Sequence, residues 1–371
     1  MAGELDPAEC FSLRDALRSL LGFHDGIWRW SAGIQAGVAT GVPLAAFTLG
    51  GHQSLGLIAS LGAFTALYGS TLRLRERICL LPLVALGFVA ASGLGVITAA
   101  NGWAIVVGLV AVSALACAVS LSVRLGPPGP MQFLLVAGVS GHLAGPAHLG
   151  GASIDPIVIP ALVAVGALSA YLLVVAPLAL PPVRRRDGEA VGIRMLFPGP
   201  GLDDETVTIA ARVVGAVAVA GLLSIPWGVH RAYWLMMVAG VVLQASGASR
   251  SNAIRAVHRI VGTVCGVAVF GLVELAEPRG LWLVAVIALL QFATEVVVAR
   301  HYALALTFIT PAALMISAAG GTDAPLTLVS ERIVDTVLGA VIAMAVLGTS
   351  ELIRPRLGRY RNGSPANYVA K

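Results

Sequence analysis

Two arginines four residues apart, with a histidine between them, open the segment RAVHRIVGTVCG (255–266). Residues four apart share a helix face, so Arg255 and Arg259 present two fixed cations side by side where an apolar stretch begins. A second group follows in ATEVVVARHYALALTFITP (293–311), which sets Glu295 in an apolar run and then Tyr302, Thr307 and Thr310 before Pro311. Arg212 stands one to two turns inside another apolar run, and Arg332 and Asp335 stand three apart at the head of the last one. Cations, hydroxyls and one acid in apolar helices suit the binding and passage of an anion, because ionisable groups at such positions face a protein interior or a water-filled path. Substrate binding is therefore assigned to Arg212, Arg255, Arg259, Tyr302, Thr307 and Thr310, and proton coupling to Glu295 and His258. Arg332 and Asp335 read as a structural ion pair along one helix. Each assignment has a structural counterpart. Arg255 and Arg300 also serve as loop anchors of topology; Glu295 also neutralises a buried arginine; the threonines also join packed helices; His258 also fits an interfacial position.

These groups sit in a chain of 371 residues that is 57% hydrophobic and 12% charged, about half the charge of a soluble domain. Apolar runs of about 18 residues or more recur from end to end, each long enough for a bilayer. The reading is an all-α polytopic membrane protein of about twelve transmembrane helices, arranged as two parallel six-helix repeats. The candidate spans lie at 31–49, 53–69, 79–98, 103–121, 131–147 and 156–180, then 207–225, 232–247, 260–276, 281–298, 302–319 and 330–350. Before them, residues 1–30 form an N-terminal cytoplasmic amphipathic segment. A cap at Asp6, Pro7 and Glu9 starts it, and an apolar stripe of Cys10, Leu13, Leu17 and Leu20 follows. The acidic start is unlike a cleavable signal peptide. The halves are 31–180 and 207–352, joined by the Pro-, Gly- and charge-rich linker 181–206 and followed by a basic tail at 353–371.

Twenty of the 24 basic residues fall in the N-terminal segment, the tail and the even-numbered loops. Both termini are thus expected in the cytoplasm of a cell (inner or plasma) membrane protein. The halves repeat one arrangement. Arg29 and Arg77 stand 48 apart, Arg212 and Arg259 47 apart, and six spans in each half make the repeat parallel. The net charge of +5 comes almost wholly from arginine. Topology accounts for it, so nucleic acid is not an expected partner. The four cysteines, Cys10, Cys79, Cys117 and Cys265, have no metal-ligand spacing, and neither a metal nor a cofactor is expected. Absence of H-E-x-x-H, G-x-S-x-G and a Gly-Lys-Ser/Thr phosphate loop argues against an enzyme or an ATP-driven pump.

The segments ARVVGAVAVAGLL, RAYWLMMVAGVVLQASGASRSNAIRAVHRIVGTVCG, ARHYALALTFITP and ERIVDTVLGAVIA resemble the fusaric-acid-resistance (FUSC) family of integral membrane bound transporters. The resemblance rests on Arg212, Tyr233-Trp234, Arg255 and Arg259 with Gly262-Thr263 and Gly266, Tyr302, Thr310-Pro311, Arg332, Asp335 and Gly339. It covers about residues 206–350. The first half departs: RICLLPLVALG replaces the Gly-Thr-x-x-Gly pattern, and MQFLLVAGVSG lacks the Tyr and the Thr-Pro. The linker also has no room for the cytoplasmic domain many family members carry.

The resemblance implies efflux of small aromatic carboxylic acids or toxic amphiphilic anions. A more distant likeness to the plant aluminium-activated malate transporters implies an anion channel of two six-helix units. Three functions follow from residues and resemblance together: an exporter of organic anions, proton-coupled through Glu295 or His258; a passive anion channel; and a non-transporting membrane scaffold. Small organic anions and the lipid bilayer are the expected partners. A homo-oligomer and efflux partner proteins are left open.

Overall fold

The computed structural model describes residues 13–23, 26–122, 125–187, 203–227, 232–244, 246–320 and 325–362. The cap at Asp6–Glu9, most of the linker, Arg231 and the end of the basic tail lie outside them. Fourteen helices are described: α1 (Leu13–Leu21), α2 (Trp30–Leu49), α3 (Gln53–Gly62), α4 (Leu74–Thr98), α5 (Gly102–Ser122), α6 (Met131–Ala144), α7 (Val158–Val175), α8 (Pro181–Arg186), α9 (Asp204–Ser224), α10 (Ala232–Leu243), α11 (Ser249–Glu274), α12 (Leu281–Val297), α13 (Tyr302–Gly320) and α14 (Pro325–Asn362). The described residues contain no strand.

Seven of these helices are long and apolar enough to cross a membrane: α2, α4, α5, α7 with its following turn, α9, α11 and the apolar part of α14. The chain is a multi-pass membrane protein. The other five expected crossings are apolar helices of shorter reach: α3 with its following 3-10 turn, α6, α10, α12 and α13. Outward-facing side chains such as Leu86, Ile97, Leu115 and Leu289 are exposed, as a lipid-facing surface requires. Trp103 and Trp282, at the first turns of α5 and α12, are also exposed, where an indole suits the interface between lipid and water.

Several helices begin before their apolar runs do. α4 starts at Leu74, five residues ahead of the expected span. Glu76 accepts a hydrogen bond from the Arg73 backbone N–H (3.0 Å), and Asp187, from the start of the linker, accepts from the N–H groups of Leu74 and Arg75 (3.0 and 2.9 Å). α9 starts at Asp204 because Asp203 caps it, accepting from Thr206 N–H at 2.9 Å, and Asp204 and Glu205 favour its positive end. α11 starts at Ser249, eleven residues before the expected 260. Arg255, His258 and Arg259 therefore lie within the helix and not in a loop before it. α14 continues to Asn362, so the backbone of the expected tail is helical in its first part. Apolar periodicity marks where a helix enters lipid; hydrogen-bonded caps mark where it starts.

The helices pack in matched sets. α2 meets α3 and α7, α3 meets α7, α4 meets α6 and α7, and α5 meets α6. In the second half α9 meets α10 and α14, α10 meets α14, α11 meets α13 and α14, and α12 meets α13. Between the halves α2 packs on α12, α5 on α9, α6 on α10 and α3 on α13. Small residues permit the closest of these approaches. A Cβ on Gly166 of α7 would stand 1.7 Å from the Ala59 carbonyl of α3, and one on Gly262 of α11 would stand 2.4 Å from the Ala303 carbonyl of α13. Only glycine lets those backbones touch.

Candidate functional site: a cationic cavity between the halves

A cavity of about 420 Å³ lies where the two halves face each other. Helical periodicity decides which residues reach it. α12 contributes Ile287, Gln291, Thr294 and Glu295, then Val298 just beyond its end; α10 contributes Tyr233, Trp234, Met237 and Val241. On α13 the lining runs from Tyr302 to Ser317, fifteen residues and so about 22 Å along the helix axis at 1.5 Å per residue. That is most of the thickness of a hydrocarbon core.

The two walls differ in chemistry. The first half contributes Leu57, Ile58, Leu61, Phe64, Leu135 and Val139, with Arg29 at Glu295 and a few neutral polar groups. The second half contributes Arg255, Arg259 and Arg332, with Tyr233, Trp234 and Tyr302 among them. Tyr302 organises the first two arginines. The Arg255 guanidinium carbon stands 3.9 Å over its ring, and Arg259 Nη1 donates to its hydroxyl at 2.8 Å. Arg255 Nε is held by the Val241 carbonyl at 3.0 Å, and Arg259 Nη2 rests on Met237 Sδ at 3.4 Å. A phenol oxygen that accepts from one cation keeps its own proton to donate to a ligand oxygen. Arg259 is buried, and its Nε has no acceptor in the described structure.

Glu295 is buried on the same cavity, beside Arg29 at 3.6 Å. Arg29, the last residue before α2, also donates to Ser70 Oγ. The intramembrane acid is therefore tied to an arginine of the other half, across the α2–α12 seam.

Of the residues named from sequence, Arg255, Arg259, Tyr302, Glu295 and Arg332 meet at this cavity. The rest lie elsewhere. Arg212 is buried within α9, where its Nη1 donates to the Gly247 carbonyl at 2.9 Å and its Nη2 lies 3.9 Å from Glu351. His258 faces α1, its Nε2 2.8 Å from Ser19 Oγ, and its ring stacks on His301 with centroids 5.7 Å apart. Thr307 returns its hydroxyl to the Ala303 carbonyl of its own helix. Thr310 is fully buried against Gly266 of α11, the close contact that glycine leaves open. These two threonines thus occupy helix contacts and not the path. Asp335 acts on Arg332 electrostatically along α14, and the Arg332 guanidinium also lies 3.7 Å over the Trp234 ring. Stacking on an indole face holds a guanidinium without using its N–H groups.

Sequence reasoning missed Gln291, Thr294 and Trp234 as lining residues. Gln291 and Thr294 carried a usable signal, a polar pair in an apolar run one helical turn ahead of Glu295's own neighbours. The stripe of α1 is legible only in part. Ala16 is its buried contact, while Leu17 and Leu21 are exposed and available to the lipid interface. Ser19, and Asp15 through Arg250 at 2.8 Å, fasten α1 to α11.

The apolar surface, the helices long enough to cross a bilayer and the charged cavity between them define a multi-pass helical membrane protein. Residues 204–346 match the family model described as Fusaric acid resistance protein-like, which bears out the resemblance over the segment that carries Arg255, Arg259, Tyr302 and Arg332. The chain is also similar to the "Uncharacterized membrane protein YvaC" of Bacillus subtilis (strain 168), at 34% identity over 151 residues, or 40% of this chain. That match spans 23% of the relative's own length. No solved structure matches the chain.

Proposed function

We propose that the protein exports small organic anions, with aromatic carboxylates as the preferred class, through the cavity between its halves. One observation carries this reading: the same cavity is lined by Arg255, Arg259 and Tyr302 from the second half and by Leu57, Leu61 and Phe64 from the first. An inorganic anion would gain nothing from the apolar side, and a neutral amphiphile nothing from the arginines. An aromatic carboxylate uses both, since a carboxylate takes paired N–H donors from arginine and a ring gains by leaving water. Membership of the matched segment in a fusaric-acid-resistance-like family supports a transport role.

On this reading the two halves are a parallel repeat. The corresponding helix contacts within α2–α7 and within α9–α14 support it, as does a shared detail: Arg29 reaches Ser70 beyond α3 as Arg212 reaches Gly247 beyond α10. Both termini are cytoplasmic and the membrane is the plasma membrane. Arg255 and Arg259 then face the cytoplasmic end, where a funnel of one sign concentrates the opposite charge. Glu295 is the coupling group, because protonating it would release Arg29 at the cavity's edge.

A passive anion channel is the second reading, favoured by the length of the cavity along α13. Flux in proteoliposomes separates the two. Accumulation of benzoate or 4-hydroxybenzoate against its gradient, lost when the proton gradient is collapsed, supports the exporter. Downhill flux indifferent to the proton gradient and carrying large currents supports the channel. No flux of any aromatic or dicarboxylic acid from correctly inserted protein would overturn both.

A further inference from the structure

Four arginines are buried among the described residues: Arg77, Arg212, Arg259 and Arg332. Three of them have acceptors. Arg77 donates to Gln35 Oε1 and the Ala66 carbonyl, Arg212 to the Gly247 carbonyl, and Arg259 to the Tyr302 hydroxyl. Arg332 differs. It is 3% exposed, its Nε and Nη1 are buried with no hydrogen-bond partner, its plane lies 3.7 Å over the Trp234 face, and Asp335 of the same helix acts on it as an opposite charge. It also lines the cavity. A buried cation without acceptors is costly and is kept only when something supplies the missing lone pairs.

We propose that Arg332, held flat by Trp234, is the carboxylate-binding residue of the cavity and that its unpartnered guanidinium N–H groups receive the carboxylate of the transported acid. The geometry suits that ligand. The two Nη groups, of which Nη1 is one, form the end of a rigid planar fork that meets a carboxylate in two parallel hydrogen bonds. Indole stacking uses none of the N–H groups, and Trp234, Ser317 and Glu331 line one small pocket with Arg332. The Arg255–Tyr302–Arg259 group then attracts the anion electrostatically, and Arg332 holds it by shape. This assignment rests on the organic-anion reading of the cavity.

The test is binding by the full-length chain in detergent micelles, followed by tryptophan fluorescence and melting temperature, with benzoate and its neutral isostere benzamide as probes. Wild type is expected to bind benzoate, with a raised Tm, and not benzamide. Arg332→Met is expected to melt no lower than wild type without ligand, since it removes buried donors that lack acceptors. Its affinity for benzoate should fall about 10- to 100-fold, the range for losing a hydrogen-bonded charge. Arg332→Lys, which keeps the charge without the fork, should also lose affinity, and it serves if the methionine variant fails to fold. A purely structural arginine predicts the reverse: a lower Tm for Arg332→Met, recovery in Arg332→Lys, and benzoate affinity within twofold of wild type in whichever variant folds. That result, or no benzoate binding by wild type, would overturn the assignment. Binding that depends on Arg332 without flux in proteoliposomes would overturn the transport reading and leave the assignment standing. Flux with unchanged affinity in Arg332→Met would do the opposite.

Discussion

Replacing Arg259 by glutamine removes one cation from the cavity wall and one donor from the Tyr302 hydroxyl, the 2.8 Å contact that fixes both side chains. A unit charge about 4 Å from an anion, at the effective dielectric of about 20 found near protein surfaces, is worth about 4 kcal/mol. Arg255 and Arg332 remain on the same wall, and water in the cavity screens the interaction, so about half of that is lost. A loss of about 2 kcal/mol is about 30-fold in affinity. The effect on folding should be smaller. The charged hydrogen bond to Tyr302 is worth about 1.5–3 kcal/mol, but burial of the Arg259 charge is itself unfavourable and its removal offsets much of this. Benzoate flux in proteoliposomes, measured as initial rate against concentration, should show a KM raised about 30-fold, with Tm within a few degrees of wild type. A folded Arg259→Gln protein whose KM stays within twofold of wild type would refute the reasoning, because the cation would then contribute nothing to the anion.

Tyr302→Phe keeps the ring beneath Arg255 and deletes only the acceptor for Arg259; the loss of about 1 kcal/mol for one hydrogen bond should raise KM about fivefold in the same flux assay. Glu295→Gln leaves Arg29 its contact with Ser70 and removes the carboxylate that Arg29 meets on the cavity wall. Proton-driven accumulation should be abolished while counterflow exchange of labelled benzoate continues, and accumulation that survives would remove Glu295 from the coupling step. Gly262→Leu should lower Tm sharply and reduce flux, because even a Cβ there would meet the Ala303 carbonyl at 2.4 Å, and overpacking costs about 1–3 kcal/mol. Gly215→Leu, at a position with nothing within 4 Å, is the matched control and should melt like wild type.

Much of this was readable before any coordinates. Long apolar runs fix a helical membrane chain whatever the tertiary structure, since only satisfied backbones persist in lipid. The cluster Arg255, Arg259, Tyr302 and Glu295 was legible because charge is rare in such runs and helix spacing puts the pair 255/259 on one face. What periodicity does not carry is the direction in which a polar face points. Thr307, Thr310 and Ser317 share one helical face, yet Thr310 meets α11, where Gly266 leaves room for it, and of the three only Ser317 lines the cavity, beside Ile309 and Ala313. For Arg332, spacing within one helix nominated Asp335, but it could not supply the Trp234 ring, which comes from a helix almost a hundred residues away. Helix starts were misplaced wherever a polar turn was capped from outside the apolar run, as Asp187 does for α4.

The passage of anions through the cavity is best tested with a thiol placed on its wall. Ala313 lines the cavity, and Val264 of α11 is exposed on the outer surface. In a background with Cys10, Cys79, Cys117 and Cys265 replaced by serine or alanine, single Ala313→Cys and Val264→Cys proteins would be treated with a negatively charged, membrane-impermeant thiosulfonate reagent, with and without benzoate, and then assayed for benzoate flux. The account predicts that Ala313→Cys is inactivated and that benzoate slows its inactivation, while Val264→Cys keeps its flux. Flux in Ala313→Cys that survives complete labelling would contradict it.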